Sequence, residues 1–250
     1  MDKTGVKAES RAGGFFSPLA RAWQLAGSPA VLPALAALAL LNGVNQYAMA
    51  ALAASRNMTG LGLYSLVSGF ALVLLVGGVI FMLGRRMAGA GSGARMPNAA
   101  LVFVLLLLAY GIGRWFAGGL LNAAVFAGVG GENARLAAML AAIVPSILFC
   151  PLVVRLFALA MAHERPGLGQ TFGALWSTHF AYLGCYALVS VAASALFWAT
   201  PDVLRSLPMA GMALTQGLIT GLTQLAALLV AAAAARDLAP GGAGAADVFS

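Results

Sequence analysis

The sequence predicts an all-α protein: a polytopic membrane helix bundle of about six transmembrane helices with interfacial amphipathic helices. Three observations carry that prediction. Six apolar runs follow one another along 250 residues, and each exceeds the ~20 residues a helix needs to cross ~30 Å of hydrocarbon. Hydrophobic residues make up 62% of the chain and charged residues 8%, whereas soluble domains carry roughly a quarter charged. Within the runs only two permanently charged side chains occur, Arg114 and Arg155. A mean hydropathy of +0.94 leaves too little polar surface to cover a water-soluble core. Backbone polar groups have no water to bond in hydrocarbon, so runs of this length must be helical. A membrane β-barrel needs short alternating segments, which the sequence does not contain.

The elements follow in order. Residues 1–14 are polar, precede no short apolar segment with a small-residue cleavage site, and read as a retained cytoplasmic tail. The runs cover about 29–54, 61–83, 99–121, 136–162, 172–199 and 209–235, within a single membrane domain over 15–237. Residues 238–250 form a second cytoplasmic tail. The third run has an apolar continuation through Val129 that reads as a re-entrant or interfacial turn. Before the first run, Phe15, Leu19, Ala22, Trp23 and Ala26 fall on one helical face while Arg21 and Gln24 point away. Ser17 followed by Pro18 suits an N-cap and first turn. Leu168, Phe172, Leu175 and Trp176 repeat the spacing before the fifth run. An interfacial helix with Trp anchors the span that follows it. The recurrence fits a duplication of three spans plus three, and equally a coincidence between two Ala/Leu-rich segments.

Lysine and arginine set the orientation. Lys3, Lys7, Arg11, Arg21, Arg85, Arg86, Arg95, Arg165 and Arg236 fall on one side, against Arg56, Arg135 and Arg205 on the other. The positive-inside rule then places both termini in the cytoplasm, which requires an even number of spans. The formal charge of +7 is scattered over loops rather than gathered in a patch, which argues against a nucleic-acid partner. Cys150 and Cys185 lie in apolar runs without metal or redox spacing and read as packed hydrophobes.

The segment Phe16 to Leu25 (FSPLARAWQL) resembles the opening of a group of uncharacterised bacterial six-helix inner-membrane proteins. These in turn resemble the membrane domain that precedes some glycerophosphodiester phosphodiesterases. Val154 to Glu164 (VRLFALAMAHE), followed by Gly169 to Trp176, is similar to a second pattern of the group: an Arg-bearing span end, an acidic turn, then an amphipathic helix. The resemblance implies a fold and a bacterial inner-membrane location. It implies no activity, since the catalytic domain of those phosphodiesterases is lacking.

Candidate functional residues are few. Arg114 lies roughly 20 Å along the third span, close enough to the outer face to snorkel beside Trp115, although intramembrane arginines are functional candidates by default. Arg155, about two turns from the cytoplasmic end of the fourth span, can snorkel or pair with Glu164, and Pro151 beside it removes a backbone bond. The remaining polar material is neutral. Asn42, Asn45 and Gln46 share a face of the first span; Gln216, Thr220, Thr223 and Gln224 form a stripe on the sixth, beside Gly217 and Gly221. They read either as interhelical glue worth ~0.6–2 kcal/mol per bond or as a polar path between first and last spans.

Catalysis finds little support. No paired carboxylates, HExxH motif or phosphate-binding glycine loop occurs, and Ser68 and His179 differ in depth by several ångströms, too far for a dyad. His163-Glu164-Arg165 reads as a solvated turn. The sequence thus predicts a protein that is not an enzyme and has no metal or cofactor. Its partners are the lipid bilayer and other membrane-protein subunits, as scaffold, regulator or assembly subunit, or else it is a small uncoupled transporter or lipid-handling protein using the polar stripe.

Overall fold

A computed structural model describes residues 15–88, 99–128, 133, 137, 143–161, 167–203 and 206–239. Among these residues the chain is helical without strands. A short α1 (Ser17–Ala26) leads into α2 (Val31–Ala54), which turns back into α3 (Met58–Met87). Next come α4 (Ala99–Gly128), α5 (Ile143–Ala160), a short α6 (Leu168–Ser177), α7 (Phe180–Val203) and α8 (Met209–Asp237). Six of these helices, α2, α3, α4, α5, α7 and α8, are long and apolar enough to cross a membrane. This is an all-α membrane bundle.

Local chemistry explains the breaks. At the end of α2, Asn57 N–H reaches Leu52 O at 3.2 Å and Arg56 N–H reaches Ala53 O at 3.1 Å. That is the Schellman pattern, and it forces Arg56 to a φ of 54°, where glycine is the usual occupant. Asn57 then caps α3 by accepting from Gly60 N–H at 2.8 Å, and Arg85 and Arg86 in its last turn oppose the negative end of the helix dipole.

Three expectations change, and one open alternative narrows. The fifth run, 172–199, is two helices. Ser177 and Thr178 donate their hydroxyls to Gly173 O and Ala174 O, and His179 N–H takes Ala174 O as well. The polar triplet closes α6, and the span restarts at Phe180. The tail of the third run is no turn, because α4 continues as helix to Gly128. Ser17 is already the first residue of α1, so the N-cap position falls on Phe16. Finally, a three-plus-three division would set α1 before the first span of one half and α6 before the second span of the other. The order of elements therefore does not follow such a repeat.

Burial gathers at one end. The first half of α2, the second half of α3 and the start of α7 supply Leu38, Ile80, Leu83 and Leu183. They meet the last turns of the two most enclosed helices, α5 (Val153–Ala160) and α8 (Leu228–Ala235). The five consecutive alanines closing α8 leave space for neighbouring backbones. Toward the other end no residue of Met58–Leu75 or Val44–Ala54 is buried, so those faces are left to the lipid chains. The two short helices lie at the enclosed end: Pro18 and Ala22 of α1 pack against the core, as do Thr171 and Leu175 of α6. Trp23 and Trp176 stay exposed beside them, as headgroup-level side chains do.

Candidate functional site

The tightest helix pair is α2 with α8, running antiparallel. Glycine makes it tight. A methyl added at Gly217 would lie 2.6 Å from Ala39 O and collide with the Gly43 backbone, and one at Gly221 would lie 2.7 Å from Ala39 N. Gly43 in turn meets Ala213 O and Leu214. The small-residue pair read from the sequence is thus answered by Ala39 and Gly43 on the partner, and backbones touch where side chains would hold them apart.

The amides flank this seam. Asn42, buried, donates one Nδ2 hydrogen to Leu38 O at 2.8 Å and another to Gln224 Oε1 at 3.1 Å. Among the described residues this is the hydrogen bond that joins the two stripes. Gln216 is buried two turns away along α8, at the depth of Gly43. Thr220 lies between, its carbonyl accepting from the Thr223 hydroxyl at 3.0 Å. Asn45 and Gln46 sit one turn further along α2, both partly buried. The Asn45 Oδ1 atom is enclosed with no hydrogen-bond partner among the described residues.

Arg114 behaves otherwise than expected. Instead of extending toward headgroups beside Trp115, its Nη1 donates to Tyr110 Oη at 2.6 Å, with the guanidinium 5.8 Å from that ring. Helix side chains lean toward the helix N-terminus, so the residue one turn back is the natural partner. Tyr110 is the midpoint of the apolar segment Ala99–Leu121, and the charge is therefore held toward mid-membrane. Tyr186 of α7 adjoins both groups. The two phenols and Cys150 of α5 are buried, while Arg114 itself faces out of the bundle. Arg155 is buried and has an interaction partner. Its expected partner Glu164 lies outside the described residues, as do His163 and Arg165.

One constellation escaped the sequence reading. Arg21, expected to point away from the apolar face of α1, forms an ion pair with Asp237 at the end of α8. Tyr182 of α7 donates to the same carboxylate at 2.5 Å and accepts from Arg21 Nη1 at 3.3 Å. Nearby, the Cys185 thiol donates to Phe15 O at 3.3 Å, and the Phe15 ring rests in the space left by Gly184. These contacts fasten α1 across α7 and α8. The available signal is Asp237, an acid at the end of a span.

Cys150 and Cys185 are both free and buried, and among the described residues no three His, Cys, Asp or Glu side chains cluster as metal ligands would. Ser68 Oγ bonds Ser65 O, and His179 Nδ1 meets Thr178 Oγ1, on separate elements. Fold and site together define an integral, multi-pass helical membrane protein. The chain matches no protein-family model, and no curated protein or solved structure is significantly similar to it.

Proposed function

We propose that this protein is a non-enzymatic component of a bacterial inner membrane: a scaffold, regulator or assembly subunit with both termini cytoplasmic. The observation that carries the reading is the Asn42–Gln224 bond beside the Gly43–Gly217 contact. A polar stripe that closes on itself through a direct amide bond, over touching backbones, serves as glue and leaves no channel along that seam. The fastened α1 and the exposed Trp23 and Trp176 supply headgroup-level surfaces for other subunits. The resemblance of Phe16–Leu25 and Val154–Glu164 to bacterial inner-membrane proteins supports the location.

Extraction from native membranes in polymer-bounded lipid discs tests the proposal. A membrane-protein partner at constant stoichiometry through two orthogonal purification steps is the expected result; a chain recovered alone at every step sinks it. A second reading, a small uncoupled transporter, draws on the enclosed Asn45 Oδ1, a lone acceptor suited to a passing donor. Under that reading Asn45→Leu abolishes solute flux into proteoliposomes and leaves folding intact; as a subunit, the variant shows no flux difference.

A further inference from the structure

Among the described residues, the Arg114 cluster holds a charge that no carboxylate balances. A guanidinium stays charged at every accessible pH. Residues 10–131, which contain all of α1 to α4, include no Asp or Glu, and neither do α5 or 180–197 of α7. The acid closing α8, Asp237, is paired with Arg21 at the end of the bundle. Among the described residues, then, Arg114 meets phenol hydroxyls but no carboxylate. Phenols share hydrogen bonds with a cation without cancelling its charge. A bare charge in hydrocarbon is costly, and the cost is met by a counter-ion, local bilayer thinning or water. Arg114 faces outward from α4, with Tyr110 and Tyr186 buried behind it. With Nη1 engaged by the Tyr110 hydroxyl on a side chain that is otherwise exposed, the remaining N–H groups of the fork are donors to spare for a tetrahedral anion.

We infer that Arg114, with Tyr110 and Tyr186, is a binding site for the phosphate diester of a membrane phospholipid, drawn below its ordinary plane. The loose half of the bundle assists: none of Met58–Leu75 is buried, and Ile112, Trp115 and Phe116 offer apolar surface beside the charge for acyl chains. A free inorganic anion shares the phosphate chemistry but brings no hydrocarbon for those surfaces. The site is separate from the α2–α8 seam and stands whether the protein is a subunit or a transporter.

Native mass spectrometry of the full chain in detergent decides the matter, with dioleoylphosphatidylglycerol and dioleoylglycerol as probes. The expected result is one retained phosphatidylglycerol and no retained dioleoylglycerol. Arg114→Gln should lower that retention roughly tenfold, a loss of about 1.4 kcal/mol, whereas Arg86→Gln, at an exposed residue in the last turn of α3, leaves it unchanged. Arg114→Lys, which keeps the charge without the planar fork, should retain the lipid several-fold less well. Equal retention of dioleoylglycerol by the wild-type chain overturns the inference, and this comparison stands even where Arg114→Gln does not fold. Displacement by millimolar inorganic phosphate, or an equal loss in Arg86→Gln, overturns it too.

Discussion

Asn42 shows what a single amide does in this bundle. Its side chain satisfies both donors at once, one on its own helix and one on Gln224. Asn42→Leu and Gln224→Leu should each lower stability by about 1 kcal/mol, with a coupling between them of ~0.6 kcal/mol. Equilibrium unfolding of the two single variants and the double variant in bicelles measures this, and strict additivity would remove the bond from the account. Arg56 makes the opposite prediction. An L-residue held at a φ of 54° costs ~1–2 kcal/mol, so Arg56→Gly should raise stability by about 1 kcal/mol and leave the α2–α3 turn unchanged. A fall in unfolding temperature would show that the Arg56 side chain contributes more than its backbone costs.

Among the elements, α1 combines apolar and polar docking. Pro18 and Ala22, with the partly buried Leu19, Leu25 and Ala26, give it an apolar footing, and polar contacts are added by Arg21, Tyr182 and Asp237, with Phe15 over Gly184. An ion pair with side chains this exposed is worth at most ~1 kcal/mol alone, and less in salt. Asp237→Asn should therefore speed amide hydrogen exchange across Ser17–Ala26 several-fold while leaving α8 protected. Unaltered exchange in α1 would assign its docking to the apolar contacts instead. The α2–α8 pair depends on shape. Gly217→Ala should reduce the unfolding temperature sharply, whereas Gly69→Ala, with open space around it, should not. A similar effect at both positions would mean that the seam is not a close backbone contact.

For the molecule as a whole, how much was legible depended on which property each feature used. Hydropathy alone reports length and apolarity, so the six spans were visible; Gly217 and Gly221 marked a face open to close approach, but not its partners Ala39 and Gly43. The break at Ser177–His179 was not visible, because three polar residues barely lower the average of a long apolar window. Nor was the turn of Arg114 toward Tyr110, since position along a helix does not give the direction of a flexible side chain. The Arg21–Asp237 contact joins residues 216 positions apart, a distance that no local pattern encodes. Orientation is open to direct measurement: a cysteine placed at Arg95 should react with membrane-permeant but not impermeant maleimide in intact cells. Labelling by the impermeant reagent would invert the topology.

The intimate contact of α2 with α8 has a consequence for biosynthesis. The first of these six spans to leave the ribosome finds its closest neighbour in the sixth, so Asn42 must wait in the bilayer until Gln224 has been made. During that interval the amides of α2 are available to lipid, water or an insertion chaperone, and four other spans are threaded past them. A chain stopped before Met209 would carry this unanswered polarity permanently, a mark by which a quality-control protease could tell an unfinished molecule from a finished one.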